Sequence, residues 1–355
     1  MQRQAAEKGS YGQIMKVRSR APLRIGFAGG GTDLSPYCDQ YGGAILNATI
    51  SLYASTTIES RDDGRVRLVA TDIGQVAEFD ASGEVPMEEP LLLHRAVYRR
   101  IVETYNNGEP LPCTITTFCD APPGSGLGSS STMVVSMLKA FVELLSLPLG
   151  EYDIGHLAYV IERVELGLQG GRQDQYAATF GGFNYMEFYA DDRVIVNPLR
   201  IKNWVLSELE STILLFYTGV SRSSADIIRG QTDNVKSGNS KSLDALHKLK
   251  EDAIRTKECL LKGDVLGFAR VVSGSWEAKK NTAAQVSNSD IDRVFESAIA
   301  AGAIGGKISG AGGGGFITFF AEPERRLDVI RALEQESGQI MPAHFTKDGT
   351  LGWRL

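Results

Sequence analysis

Residues 122–132 read PPGSGLGSSST, alternating glycines followed by a run of hydroxyls, and the apolar helical stretch SSTMVVSMLKAFVELLSL starts within that run. This order narrows what the chain can form. The first turn of a helix presents free backbone N–H groups and partial positive charge, so it holds an anion without needing a basic side chain. Gly124, Gly126 and Gly128 let the backbone close around the anion, while Ser129, Ser130, Ser131 and Thr132 either cap the helix or bond its oxygens. Plain capping competes with this reading, but it needs one hydroxyl and no alternating glycines. The stretch predicts a phosphate site.

Familiar phosphate binders are excluded one by one. A Walker A loop is absent: Lys307 follows Gly306, but Ala301 and Ile308 stand where a glycine and a hydroxyl are required. Gly310, Gly312 and Gly315 match G-x-G-x-x-G, yet the strand-like FITFF follows where a dinucleotide site would open a helix. Protein-kinase H-R-D and D-F-G elements are missing.

LRIGFA and ISLYASTTI alternate apolar with small or polar residues and read as strands, as do RVRLVATD at 65–72 and PCTITTFCD at 112–120. Helical spacing marks PLLLHRAVYRRIVETY, the stretch behind the glycine loop, IGHLAYVIERVELGL, a charged region over 222–262, 264–280, SDIDRVFESAIAAGA and EPERRLDVIRALEQE. Runs of strands followed by helices predict an α+β fold. The 355 residues suit two domains, and the polar passage at 190–211 before ILLFYTG marks the boundary. We expect a disordered leader over 1–14, a first domain over 15–199 and a second over 200–355.

A net charge of −6 argues against nucleic acid or an anionic membrane as partner, so an anionic ligand needs a local positive site. Four scattered cysteines and four scattered histidines suggest neither disulfides nor zinc, and a polar start without a long apolar run predicts a cytoplasmic protein.

PPGSGLGSSST resembles the nucleotide-binding motif of the GHMP kinases, the superfamily of galactokinase, homoserine kinase and mevalonate kinase. RAPLRIGFAGGGTD at 20–33 resembles their first motif and KISGAGGGGF at 307–316 their third, in the same order. The resemblance implies an N-terminal ribosomal-protein-S5-like domain and a C-terminal ferredoxin-like α/β sandwich domain. It further implies ATP held by Pro123, Gly124, Ser125, Gly126, Leu127, Gly128, Ser129, Ser130 and Ser131, with Mg2+ on Ser130 and a helical carboxylate. In AYVIERVELGLQGGRQDQYAATFGG that carboxylate is Glu162, with Glu165 an alternative; a solvated helix face or a pair with Arg163 is the bland reading of either. Asp174 falls where the family places its catalytic aspartate, and Arg24 matches a basic residue that would lie beside it and assist the developing alkoxide.

GGGTDL, GGRQDQYAATFGG and YTGVSRSSADII together resemble the D-glycero-D-manno-heptose 7-phosphate kinases, which phosphorylate C1 to give the 1,7-bisphosphate. L-Fucokinase and related sugar 1-kinases are near neighbours; mevalonate-branch kinases and a non-catalytic sugar sensor are more distant readings. A phosphorylated sugar demands a second anion site, for which Arg222 at a possible helix start is the first candidate and Arg172 and Lys307 are others. Thr32 and Asp33, with Gly30 and Gly31 before them, are expected at the sugar, and Gly312 and Gly313 beside the phosphates and substrate. Monomer and homodimer both remain open.

Overall fold

The computed structural model describes residues 15–220, 225–283 and 285–355; the leader expected over 1–14 lies outside the described residues, and so does Arg222. The first half runs β1 (Lys16–Ala28), α1 (Tyr37–Tyr41), β2 (Gly43–Ser60), β3 (Arg65–Ala70), β4 (Gln75–Asp80), α2 (Leu92–Tyr105) and β5 (Cys113–Cys119). It continues through α3 (Ser129–Leu145), α4 (Glu151–Tyr159), a π-helical turn over Val160–Glu165, α5 (Gln173–Phe180), β6 (Phe183–Phe188) and β7 (Val194–Pro198). The second half contains α6 (Asn203–Thr212), β8 (Ile213–Tyr217), α7 (Ala225–Lys236), α8 (Ser240–Lys262), α9 (Val265–Lys279) and α10 (Ser289–Ala300). It ends with β9 (Gly305–Ile308), β10 (Phe316–Phe320), α11 (Pro323–Leu333), β11 (Gln339–Met341) and β12 (Leu351–Arg354).

β2 is the spine of an eight-stranded sheet ordered β12-β1-β2-β5-β3-β4, with β6 paired to the start of β2 and β7 to β6. Its first eight residues are buried on both faces, whereas beyond Ile50 buried and half-buried positions alternate. The change follows the helices: α3, α5 and α8 all pack against β1 and β2, and strands covered on both faces lose the alternating pattern. The second sheet, β11-β8-β10-β9, is antiparallel throughout, with α9 and α10 against β9 and α11 against β11. Mixed helix and sheet layers are the α+β class expected from the sequence.

The expected division at 199/200 needs correcting in two respects. The polar passage 190–211 is not bare linker: it carries β7 and most of α6, whose Val205, Leu209 and Thr212 form a buried stripe at helical spacing under a polar face. The segment 200–355 is not self-contained either, because β12 returns to the first sheet, with Val17 opposite Arg354 and Arg20 opposite Leu351. The halves share a core as well: Phe268 of α9 meets Phe27 of β1 with ring centroids 5.0 Å apart and Phe320 of β10 at 5.9 Å. The helical region at 222–262 splits at Gly238, whose φ of 67° leaves helical space, and Asn239 caps α8 by accepting from the Ser242 N–H at 3.1 Å.

Candidate active site

Helix α3 starts directly behind the second glycine loop, PPGSGLGSSST, and no side chain among the described residues caps it. Ser129 Oγ reaches only the Pro122 carbonyl at 3.5 Å, and Ser130 Oγ donates away from the helix to Glu162 Oε1 at 2.9 Å. The hydroxyl run is therefore not a set of caps. Gly126 is glycine of necessity: its φ is +82°, and a Cβ would lie 2.5 Å from the Ser309 carbonyl oxygen of the third glycine loop. The loops lock together where Phe316 N–H donates to Ser125 O at 3.0 Å. Ser125 and Leu127 are fully buried, so their side chains support the loop from beneath and leave the backbone to face the cavity.

In front of this cradle lies a cavity of about 340 Å³ whose wall includes Arg24, Asp33, Ser130, Asp174, Lys279 and Gly310. Arg24 sits on β1 at a register irregularity between Pro22 and Arg24, a local kink that re-aims a side chain. The arginine is 3 % exposed rather than solvent-facing. Its Nε donates to Asp174 Oδ1 at 2.7 Å and its Nη1 to the Gly126 carbonyl at 2.6 Å, so one guanidinium joins the aspartate to the phosphate loop. Asp174 Oδ2 lies beside Gly128, where a Cβ would come within 3.2 Å of it.

The two candidate glutamates separate because the helix changes pitch between α4 and residue 165. A π-turn inserts an extra residue into the helical register, a device common at functional sites. Glu162 points inward, fully buried, accepting from Ser130 Oγ and from Gln175 Nε2 at 2.6 Å. Glu165 is turned away and pairs with Arg99 and Arg100.

The glycine pair Gly170–Gly171 makes room for charged neighbours. A Cβ on Gly170 would lie 2.4 Å from the Arg163 guanidinium carbon, and one on Gly171 would lie 1.9 Å from Asp33 Oδ2. Asp33 is buried, accepting from the backbone N–H groups of Arg172 at 2.9 Å and Gln173 at 3.2 Å at the start of α5. Burial, then the charge of Asp174, pushes its carboxyl above the usual range.

Three expected substrate contacts need correction. Thr32 Oγ1 is spent on the fold, donating to Gly29 O and accepting from Ala44 N–H at 3.0 Å, because the GGGTD loop must be tied to β2. Lys307 is buried on β9 with Nζ on Gly26 O at 3.0 Å and does not line the cavity; burial, then Lys279 and Arg24, pushes its ammonium well below the usual lysine value. Arg172 is already engaged, by Asp192 at 2.8 Å, by Asp39 at 3.7 Å and by the Tyr189 carbonyl at 2.9 Å. Gly31 and Gly312 reach the cavity wall, whereas Gly30 and Gly313 make backbone contacts, to Lys279 Nζ and the Val286 carbonyl.

Lys279, Arg163, Gln173 and Gln231 also line this cavity; Arg163 and Gln173 lie in a motif stretch without being singled out for the site, and no motif announces Lys279 or Gln231. Lys279 ends α9, far along the chain from the first loop, yet its Nζ donates to Gly30 O at 2.9 Å. Among the described residues Arg163 makes only long contacts: 3.4 Å to Ser131 Oγ, 3.4 Å to Gly171 O and 3.9 Å to Glu162 Oε1. It also faces an adjoining cavity of about 180 Å³ bounded by Ser35, Tyr159, Arg172 and Thr232.

Comparison with known proteins bears on this geometry. A family model described as the GHMP kinases N terminal domain matches residues 92–182, and one described as GHMP kinases C terminal matches residues 256–339. A D-glycero-alpha-D-manno-heptose 7-phosphate kinase of Campylobacter jejuni is 47 % identical over 339 residues, covering 96 % of this chain and 99 % of that protein. A crystal structure described as a D-glycero-D-manno-heptose 1-phosphate kinase from Bacteroides thetaiotaomicron superposes with a TM-score of 0.82 at 48 % identity, over 96 % of this chain and 99 % of that one. A putative sugar kinase from Campylobacter jejuni follows with a TM-score of 0.79 at 43 % identity, over 97 % of this chain and all of that one.

Proposed function

The chain belongs to the GHMP kinases, and from that premise we propose that it transfers the γ-phosphoryl group of ATP to the anomeric C1 hydroxyl of D-glycero-D-manno-heptose 7-phosphate. The product is the 1,7-bisphosphate, on the route to nucleotide-activated heptose. The observation that carries the reading is the Arg24–Asp174 pair, set between an uncapped helix start and an open cavity walled by Asp33.

In this reading the backbone of Gly124–Gly128 and the first N–H groups of α3 hold the ATP phosphates. Mg2+ fits the Ser130–Glu162 pair: both offer hard oxygens, and among the described residues the cation paired with the fully buried Glu162 carboxylate, Arg163, stands 3.9 Å away. Held there, the metal supplies neutralising charge for the phosphate oxygens. Arg24 fixes Asp174 Oδ1, leaving Oδ2 toward the acceptor. Asp174 takes the C1 hydroxyl proton as that oxygen bonds to the γ-phosphorus; the bond from phosphorus to the bridging oxygen breaks, and ADP leaves with the electron pair. An anomeric hydroxyl is more acidic than an ordinary alcohol, which suits a carboxylate base. The adjoining cavity supports an acceptor that brings its own phosphate, with Arg163 on its wall and Arg222 as a further candidate.

The two named relatives differ in the phosphate they specify, 7 in one and 1 in the other. The test is ADP release measured across heptose 7-phosphate, heptose 1-phosphate, L-fucose, galactose and mevalonate, with and without Mg2+. We expect Mg2+-dependent turnover with heptose 7-phosphate. Preference for the 1-phosphate or for an unphosphorylated sugar contradicts the assigned acceptor.

A further inference from the structure

Lys279 is 2 % exposed, and its ammonium carries three N–H donors. A buried ammonium is costly unless its donors find partners, and the acceptor found for it is Gly30 O, in the loop of the opposite half. Its remaining donors belong to a residue that lines the main cavity. Gln173, on the same wall, offers a second donor: its Nε2 lies on the Gly30 side, whereas its buried Oε1 lies on the Gly26 side, 3.6 Å from where a Cβ there would stand. The two side chains converge on one spot, since a Cβ on Gly30 would lie 3.4 Å from Lys279 Nζ and 4.0 Å from Gln173 Nε2.

An ammonium with donors left over and an amide N–H near the same spot are what a hydroxyl oxygen satisfies, because its two lone pairs accept from both. A water would meet the same need, but both groups stand on the wall shared with Asp33 and Asp174, where the acceptor sits in the proposed reaction. We infer that Lys279 and Gln173 together bind a hydroxyl of the acceptor sugar next to the one phosphorylated, making Lys279 a specificity-determining residue supplied by the second half of the chain. The inference rests on the acceptor being a sugar.

Electrostatics agree. Burial pushes the Lys279 ammonium down to about 8, with Asp33 opposing the shift and Arg24 adding to it. The charged groups facing it are Arg24 from β1, Asp33 from the loop after β1, and Lys307 from β9, with Asp174 of α5 acting on Asp33. As pH rises through 8, the ammonium loses its charge and the acceptor loses a charged donor.

The test uses the full chain, wild type against Lys279→Met and Gln173→Ala, with kinetics on heptose 7-phosphate and direct binding titrations of each sugar and of ATP. A hydrogen bond to a charged donor sets the scale: the acceptor KM and Kd rise about tenfold or more in Lys279→Met, with ATP values within about twofold. Wild-type acceptor KM climbs above pH 8 and Lys279→Met flattens that climb. Gln173→Ala gives the same selective loss and stands alone if the lysine variant fails to fold. Unchanged acceptor values, or ATP values moving in step with them, overturn the inference. Wild-type activity on a different sugar sinks the heptose assignment alone, and the same variants are then read on that sugar. A chain that neither binds nor phosphorylates any sugar overturns both.

Discussion

Replacing Arg24 by Met separates chemistry from stability. The guanidinium holds Asp174 Oδ1 through Nε at 2.7 Å and through Nη2 at 2.5 Å, and its Nη1 holds the Gly126 carbonyl at 2.6 Å. Methionine fills most of the volume and removes all three contacts. Hydrogen bonds to charged groups contribute about 1.5–3 kcal/mol each, and the Asp174 side chain, 21 % exposed, recovers part of its loss from water. A net loss of about 2.7 kcal/mol in the transition state corresponds to a fall of about 100-fold in kcat. ATP affinity should fall less, because the phosphate loop also keeps its backbone bond to the third glycine loop, Phe316 N–H to Ser125 O. Coupled ADP-release kinetics with a parallel thermal melt read both effects. A variant that melts earlier but keeps wild-type kcat refutes the claim that Arg24 holds the base, and reduces the pair to a structural ion pair.

Other outcomes follow from the same geometry. Glu162→Gln should raise the Mg2+ concentration needed for half-maximal rate about tenfold or more, while Glu165→Gln, which only releases Arg99 and Arg100, leaves it unchanged; equal effects would overturn the division between the glutamates. Gly171→Ala drives a Cβ to 1.9 Å from Asp33 Oδ2 and should cost the acceptor KM and more than about 1 kcal/mol of stability, seen by denaturant titration; a neutral variant contradicts the close approach. His94 is buried against Thr117, its ring held down to about 4 by burial. Its folded value lies below the unfolded value of about 6.5, so its neutral form contributes fully above 6.5, and stability is lost as pH falls from there toward 4. By linkage this reaches about 3 kcal/mol, and His94→Gln should flatten that limb of the pH–stability curve; an unchanged limb assigns acid loss elsewhere.

What was legible in the sequence had its cause nearby in the chain. Glycine spacing marks the loops because positive φ and close backbone approach are local needs, and Arg24, Ser130 and Asp174, which line one cavity, lie in or near such stretches, with Glu162 bonded behind Ser130. What was not legible depended on atoms far away. Thr32 looks like a sugar ligand until Ala44 supplies the partner that consumes its hydroxyl. Glu162 and Glu165 are alike in sequence, and only the π-turn and the two arginines of α2 turn them apart. Lys279 ends an ordinary amphipathic helix, and its place beside Gly30 exists only once the second half folds onto the first. α6 was hidden by its polar face, and β12 by the need to know that β1 had a free edge.

The central claim is that this site phosphorylates C1 of a heptose that already carries a 7-phosphate. Phosphorus NMR of the product formed from ATP, Mg2+ and D-glycero-D-manno-heptose 7-phosphate tests it most directly. The account predicts a new resonance coupled to the anomeric proton while the 7-phosphate signal persists, and loss of that product in Asp174→Asn with ATP binding retained. A product phosphorylated elsewhere on the sugar, or an Asp174→Asn variant that still makes the 1,7-bisphosphate at the wild-type rate, contradicts it.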